Sequence, residues 1–279
     1  AEAVPVLILL DLMMPEMDGL DVCRQIKSDE NRKRIPIIML SAKDHEAEAG
    51  VHDGASAHGT GLLGRIHHTI GQTPVADRLL GLGEREHLLS PAVDLDMHIT
   101  DIVKVLQFED LRDVILVGHS YGGMVITGVA DRAADRVGHI VFLDAANPEN
   151  GQSLVDLAGP LMEASRVSGR IVDGIELVLY PGTDPMNYFG LTDPQQIEWI
   201  KPKLTPHPWK CFEQKLILNN EAVMRQIPQT HIVCSFTLPF RDVDALKNTS
   251  EGRVWDVDTG HDLMISEPQA VAELLLRLA

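Results

Sequence analysis

Short runs of consecutive apolar residues alternate along this chain with longer segments whose apolar residues recur at helical spacing. Such short runs, rich in β-branched residues, predict strands that are buried on both faces. They predict strands at residues 6–10, 34–42, 114–117, 139–143, 230–236 and 253–257. The segments with helical spacing predict helices at residues 20–28, 96–106, 124–134 and 267–278. Strands that alternate with helices in this way favour a doubly wound, mostly parallel sheet of the α/β class.

The alternation stops at residues 150–225. This stretch holds helical pieces broken by prolines, together with the aromatic residues Tyr180, Tyr188, Phe189, Trp199 and Trp209. An apolar and aromatic segment between core strands predicts a helical cap that covers a ligand site. Residues 242–248 are a further, shorter helix candidate.

The predicted strand 114–117 runs directly into Gly-His-Ser-Tyr-Gly, residues 118–122, and a predicted helix follows. Strand, Gly-x-Ser-x-Gly and helix are the context of a nucleophile elbow, a very tight turn with strained backbone angles at the serine. Gly118 and Gly122 lack a Cβ, so the two flanking segments can approach each other. We therefore expect Ser120 to be a catalytic nucleophile at the carboxyl end of the strand.

A serine hydroxyl is a weak nucleophile at its normal pKa and needs a neighbouring base. His261 follows the last predicted strand in a Gly-His-Asp turn, and in a parallel sheet this position lies at the same edge as Ser120. His119, inside the elbow, is expected to point away from the site. His139 and His231 begin their strands and lie at the opposite edge. His261 is therefore the predicted general base.

Two carboxylates are candidates for the acid that orients this histidine. Asp144 ends the predicted strand 139–143, and a carboxylate that ends an apolar strand needs a partner. Asp242 is the first carboxylate after the next-to-last strand. Asp144 is favoured, and Asp242 stays open as the alternative. Asp262, directly after the histidine, is expected to point elsewhere.

An oxyanion hole needs two N–H donors. The backbone N–H of Tyr121, at the N-terminus of the helix after Ser120, is the first predicted donor. The second donor normally comes from a loop earlier in the chain. The nearest candidate is the loop 41–55, with Ala55 as the predicted donor.

Charge and hydropathy narrow the class of protein. The chain has 279 residues and a formal net charge of −17 that is spread along it, which argues against nucleic acid and anionic membranes as partners. No apolar run reaches the ~18 residues of a membrane helix, and residues 4–12 lack the basic flank of a signal peptide. We expect a cytoplasmic protein. The sequence also allows a homodimer.

Cysteines and histidines show no metal-ligand spacing that we recognise. The three cysteines Cys23, Cys211 and Cys234 are sparse and irregularly spaced, which argues against a disulfide framework and against zinc. A loop-like region contains five histidines that form no compact ligand set: His45, His52, His58, His67 and His68. We therefore expect neither a metal nor a cofactor.

Four motifs carry a resemblance to a known family: GLGEREHLLSP at 81–91, VILVGHSYGGMVITGVADR at 114–132, VFLDAANPENGQS at 141–153 and DTGHDLM at 258–264. With these motifs the chain resembles the α/β-hydrolases, and within them the small esterases related to plant methyl-ester esterases and hydroxynitrile lyases. The resemblance implies an α/β-hydrolase domain over residues 49–279 with a cap at about 150–225.

The resemblance also implies a function. It implies a serine esterase that hydrolyses small to medium carboxylic esters, or lactones, through an acyl-enzyme on Ser120. Related hydrolases usually carry the acid after the next-to-last strand, where this chain has no carboxylate before Asp242. Hydroxynitrile lyases carry a lysine directly after the catalytic histidine, where this chain has Asp262. That difference argues against a lyase, which stays an alternative beside a non-catalytic ligand-binding protein.

A second resemblance covers residues 1–48. The runs LILLDLMMPEMDGLDVCRQIK and IPIIMLSAKD resemble the third strand, third helix and fourth strand of a response-regulator receiver domain. The resemblance places the phospho-acceptor at Asp11 and the switch hydroxyl at Ser41. The acidic pair that holds Mg²⁺ in receivers and the lysine after their fifth strand have no counterpart here, so phosphorylation is not expected. Our hypothesis is that this βαβ unit completes the hydrolase sheet.

Overall fold

The structure is a computed structural model that describes residues 79–180 and 190–278, together with the two short strands 38–39 and 75–76. Asp11, Ser41 and Ala55 lie outside the described residues, as do Tyr188 and Phe189 of the cap. The described strands, in chain order, are β1 (Ile38–Met39), β2 (Val75–Ala76), β3 (Val114–His119), β4 (Val137–Leu143), β5 (Arg170–Val172), β6 (Ile175–Val178), β7 (His207–Pro208), β8 (Gln229–Cys234) and β9 (Val254–Val257).

The described helices follow the same order. They are α1 (Leu95–Phe108), α2 (Gly122–Arg132), α3 (Leu154–Val167), α4 (Pro194–Ile200), α5 (Trp209–Glu213), α6 (Glu221–Met224), α7 (Val243–Thr249), α8 (Leu263–Ser266) and α9 (Pro268–Leu276). The predicted terminal helix 267–278 is thus shorter than expected, and a separate turn of helix, α8, precedes it. Within the described ranges, no helix is long and apolar enough to cross a membrane.

Four parallel strands form the core sheet in the order β3-β4-β8-β9. The first four residues of β3 are fully buried, as a continuous apolar run in a parallel sheet requires. Helix α1 covers the core with Ile99, Ile102 and Leu106, all completely buried. Its N-cap is Asp94, whose carboxylate accepts from the N–H of Met97 at 3.0 Å. The parallel sheet of the α/β class predicted from the sequence is confirmed for the described residues.

Residues 150–225, the predicted cap, contain the expected helical pieces and also a small sheet that the sequence did not predict. Strands β5, β6 and β7 pair antiparallel, and Val172 lies opposite Ile175 across a two-residue turn. The turn residues Asp173 and Gly174 have φ angles of 49° and 79°. Asp-Gly with positive φ at both positions is a strong hairpin signal, but the strands beside it are too short and exposed to show a buried alternation. Trp209 is buried inside the cap.

Strands β1 and β2 pair in parallel, Ile38 with Val75 and Met39 with Ala76. They are the described part of the receiver-like region and the segment after it. The hypothesis that residues 1–48 complete the hydrolase sheet otherwise falls outside the described residues. It stays a prediction.

Candidate active site

Ser120 stands between β3 and α2 with a φ of 54°, a left-handed angle that a non-glycine residue rarely adopts. Close packing enforces this turn. A Cβ at Gly118 would lie 2.7 Å from the carbonyl oxygen of Gly122, and one at Gly123 would lie 1.9 Å from that of Ala146. At Gly122 a Cβ would meet nothing within 4 Å. The predicted need for glycine therefore holds at Gly118, but the second demanding position is Gly123 and not Gly122.

The backbone of the elbow is tied to the loop after β4. The carbonyl oxygen of Ser120 accepts from the N–H of Gly123 at 3.1 Å and from the N–H of Ala146 at 3.0 Å. Tyr121 occupies the N-cap position of α2, so its backbone lies at the positive end of that helix. Ala55, the other predicted donor to an oxyanion, lies outside the described residues.

Asp144, directly after β4, and His261, after β9, are brought together at one edge of the core sheet. Asp144 Oδ2 lies 2.5 Å from Nδ1 of His261, and the Asp144 side chain is completely buried. A histidine whose Nδ1 is held by a carboxylate presents Nε2 for proton transfer.

Four groups donate to the Asp144 carboxylate. Oδ1 accepts from Oγ1 of Thr237 at 2.5 Å and from Nη2 of Arg241 at 2.9 Å, and Oδ2 accepts from Sγ of Cys234 at 3.2 Å as well as from His261. Burial alone would raise the pKa of Asp144. The hydrogen bond and charge of His261, followed by Arg241 and Thr237, outweigh burial and hold the pKa well below its usual range. The carboxylate is therefore ionised at any pH near neutrality.

Asp242, the alternative acid, has a different role in the structure. It is exposed, and its carboxylate accepts from the N–H of Ala245 at 3.0 Å, which caps the N-terminus of α7. Capping of α7 is a structural role that accounts for an aspartate at this position without any part in catalysis.

The expectation that His119 points away from the site is wrong. Its Nε2 lies 2.9 Å from the carbonyl oxygen of His261, and the two imidazole rings are 4.6 Å apart. Asp262 faces the same Nε2 at 3.8 Å. The turn after β9 packs over the end of β3, a long-range contact that the local sequence could not reveal.

A buried polar cluster, formed by His98, His207 and Cys211, packs around the side chain of Tyr121 next to the elbow. The Tyr121 hydroxyl lies 3.0 Å from Nδ1 of His98, whose Nε2 lies 3.0 Å from the carbonyl oxygen of Leu80. The rings of Tyr121 and His207 are 4.9 Å apart, and Cys211 Sγ lies close to both His98 and His207. Sequence reasoning missed this cluster, although the i, i+4 spacing of His207 and Cys211 was a usable signal.

This cluster is the group of described residues that could hold a metal ion. His98, His207 and Cys211 offer ligand atoms that all lie within 4.8 Å of one another. Burial lowers the pKa of His98 to about 4 and raises the pKa of Cys211 to about 12. Both nitrogens of His98 have hydrogen-bond partners, the Tyr121 hydroxyl and the carbonyl oxygen of Leu80, so the imidazole links the elbow to the segment before α1.

A cavity of about 610 Å³ adjoins the turn that carries His261. Its lining combines cap and core residues: Gly190, Thr192, Asp193, Gln196, Ser235, Phe236, Asp258, Thr259, Gly260, Ser266 and Glu267. Ser120 is not among them. The cavity is therefore a neighbour of the candidate site and does not itself contain the nucleophile.

Comparison with known proteins agrees with this fold. The profile of the alpha/beta hydrolase family matches residues 57–274. The carbendazim hydrolyzing esterase of Nocardioides sp. is 35% identical over 215 residues, which are 71% of this chain and 84% of that protein. An extracellular alpha/beta-hydrolase from a Paenibacillus species has the same fold, with a TM-score of 0.59 at 22% identity over 74% of this chain and 87% of its own. The methylesterase MES16 from Arabidopsis also has this fold, with a TM-score of 0.55 at 21% identity over 75% of this chain and 86% of its own.

The receiver resemblance is also confirmed in sequence. The profile of the response regulator receiver domain matches residues 1–61. The transcriptional regulatory protein ResD of Bacillus subtilis is 57% identical over 53 residues, which are 17% of this chain and 21% of that protein. The match to ResD thus covers about a fifth of that regulator.

Proposed function

The chain belongs to the alpha/beta hydrolase family, and on that premise we propose that it hydrolyses small to medium carboxylic esters through an acyl-enzyme on Ser120. One observation supports the proposal above others. Ser120 follows parallel strand β3 with a φ of 54°, and at the same edge of the core sheet a histidine is bonded through Nδ1 to a buried carboxylate. The esterase name of the Nocardioides relative agrees with it.

The proposed reaction begins with attack of Ser120 Oγ on the ester carbonyl carbon. Nε2 of His261 accepts the serine proton, and ionised Asp144 stabilises the imidazolium that forms. The N–H of Tyr121 donates to the oxyanion, and we propose Ala55 as the second donor. His261 then protonates the leaving alkoxide. Water, deprotonated by His261, attacks the acyl-enzyme and releases the carboxylic acid.

We propose a small-molecule ester as the ligand and include lactones in the substrate range. Carbendazim and methyl esters belong in the substrate panel, because the names of two similar proteins refer to carbendazim hydrolysis and to methylesterase activity. A hydroxynitrile lyase is disfavoured by Asp262, which stands where those enzymes carry a lysine. A cytoplasmic location and a homodimer stay predictions.

The test is hydrolysis of p-nitrophenyl acetate and p-nitrophenyl butyrate by the wild type and by Ser120→Ala. Ser165→Ala is a matched control, because Ser165 is half-buried on α3 and its hydroxyl donates to the carbonyl oxygen of Leu161 in the same helix. We expect Ser120→Ala to lose activity by at least ~10³-fold and Ser165→Ala to keep it. Equal rates of hydrolysis for Ser120→Ala and the wild type would contradict the proposed function.

A further inference from the structure

The loop after β8 is the place where related hydrolases usually carry their acid, and here it carries donors instead. Three residues of β8 and this loop, Cys234, Thr237 and Arg241, all donate to Asp144. The loop thus binds the carboxylate that the neighbouring strand β4 supplies.

Arg241 makes the most informative of these contacts because it reaches two consecutive residues. Its Nη2 donates to Asp144 Oδ1 at 2.9 Å, and its Nη1 donates to the carbonyl oxygen of Ala145 at 2.8 Å. The guanidinium therefore fixes the carboxylate and, at the same time, the peptide that follows it. A lysine carries its three N–H donors on one nitrogen and cannot reproduce this planar contact, in which two different nitrogens each donate one bond.

The peptide that Arg241 holds is strained and touches the elbow. Asp144 has a φ of 42°, a left-handed angle for a non-glycine residue. Two residues later, the N–H of Ala146 donates to the carbonyl oxygen of Ser120 at 3.0 Å. The segment from Asp144 to Ala146 therefore joins the acid to the nucleophile, and the guanidinium is attached to its centre.

We propose that Arg241 is a positioning residue that orients Asp144 toward His261 and holds the Asp144–Ala146 segment against the elbow. The proposal rests on the proposed ester hydrolysis. Arg241 and Thr237 occupy Oδ1, so that Oδ2 is turned to His261 Nδ1. Arg241 acts through these groups and does not touch the substrate.

The charge of Arg241 has a separate consequence for the pH profile. Among the described residues, the ionisable groups that face Asp144 are His261, Arg241 and Cys234, and His119 and Asp262 face the turn of His261. A cation beside the Asp144–His261 pair opposes protonation of the pair. When this cation is removed, the protonated, inactive form of the pair persists to higher pH. The acid limb of the kcat/KM profile therefore moves to higher pH.

Two substitutions separate geometry from charge. Arg241→Met removes both the two hydrogen bonds and the positive charge. We expect its kcat to fall about 10- to 100-fold with KM nearly unchanged. The acid limb of kcat/KM should also move up by about half a pH unit. In Arg241→Lys the charge remains but one of the two bonds is lost, so kcat falls while the acid limb stays in place.

The matched control is Arg253, which directly precedes β9 and contacts the first residue of β8, at the opposite edge of the sheet from Asp144. Its Nε donates to the carbonyl oxygen of Gln229 at 2.9 Å, and its side chain is 29% exposed, close to the 24% of Arg241. Arg253→Met removes an equally exposed guanidinium from a backbone carbonyl that lies far from Asp144. We expect this variant to keep the kcat and the pH profile of the wild type.

Chemical rescue distinguishes positioning from general loss of structure. Millimolar guanidinium should restore part of the kcat of Arg241→Met, whereas methylammonium at the same ionic strength should not. Wild-type kcat in Arg241→Met, or a loss in kcat that Arg253→Met shares, overturns the proposal. If Arg241→Met does not fold, Arg241→Lys decides alone: wild-type kcat overturns the proposal, and a reduced kcat with an unchanged acid limb supports it.

A spectroscopic readout separates this inference from the proposed function. The proton between His261 Nδ1 and Asp144 should give a far-downfield proton NMR signal in the wild type, absent in His261→Gln. We expect Arg241→Met to shift or broaden this signal and Arg253→Met to leave it unchanged. If the wild type hydrolyses no ester, the proposed function fails, and this signal still tests Arg241. An unaltered signal in Arg241→Met overturns the positioning role.

Discussion

Asp144 Oδ2 lies 2.5 Å from His261 Nδ1, although the two residues are 117 positions apart in the chain. Asp144 ends β4 and His261 follows β9, so the pair spans three of the four strands of the core sheet. The carboxylate is completely buried and bonded on both oxygens. A carboxylate held in this way has one orientation, and that orientation faces the histidine.

We expect Asp144→Asn to lower kcat by about 10³- to 10⁴-fold, because an amide cannot stabilise the imidazolium and favours the wrong tautomer of His261. The measurement is kcat on p-nitrophenyl butyrate at neutral pH. Asp242→Asn is the matched control, since it alters the other candidate acid and keeps a good N-cap residue. A larger loss in Asp242→Asn than in Asp144→Asn would reverse the assignment of the acid.

The elbow predicts opposite outcomes for two adjacent glycines. A Cβ at Gly123 would overlap the carbonyl oxygen of Ala146, whereas a Cβ at Gly122 meets nothing within 4 Å. We expect Gly123→Ala to destabilise the fold by ~3 kcal/mol and to displace the loop that contacts Ser120. Gly122→Ala should keep the wild-type stability. Urea unfolding of both variants measures the difference, and equal midpoints would contradict the packing described.

The pair of glycines also shows what the sequence could and could not predict. Buried strands, the elbow at Ser120 and the carboxylate at the end of β4 follow from local pattern, because burial on both faces leaves a continuous apolar run. The contact of Gly123 with Ala146 and the turn of His119 toward His261 depend on packing between segments that are distant in the chain. The Asp173-Gly174 hairpin was visible in the sequence, but its short exposed strands concealed it.

Stability should decrease as the pH falls from 7 to 5, and His98 should account for part of the decrease. Burial lowers the pKa of His98 to about 4, so the folded state favours the neutral imidazole. A group of this kind stabilises the fold above its unfolded pKa of about 6.5 and loses that contribution as the pH falls toward 4. The loss for His98 between pH 7 and pH 5 is ~2 kcal/mol.

His98→Gln tests this pH dependence. We expect the free energy of unfolding, measured in urea, to fall by ~2 kcal/mol less between pH 7 and pH 5 in the variant than in the wild type. His87→Gln serves as the control because His87 is exposed. The same pH dependence in His98→Gln and the wild type would show that this imidazole is not buried in its neutral form.

Removal of the Tyr121 hydroxyl should weaken the support behind the elbow. Tyr121→Phe leaves Nδ1 of buried His98 without the partner that lies 3.0 Å away, which costs ~1–3 kcal/mol. Thermal unfolding measures this loss. Because the backbone N–H of Tyr121 remains, we expect kcat to fall by less than tenfold. A kcat loss as large as that of Asp144→Asn would give the hydroxyl a direct role in the reaction.

The central claim is that Ser120 forms the acyl-enzyme, and covalent trapping tests it most directly. The protein is treated with a fluorophosphonate, digested, and mapped by mass spectrometry. We predict one adduct, on Ser120, whose formation abolishes hydrolysis of p-nitrophenyl butyrate and which is absent in Ser120→Ala. An adduct on another residue, or continued hydrolysis after complete labelling of Ser120, would contradict the account.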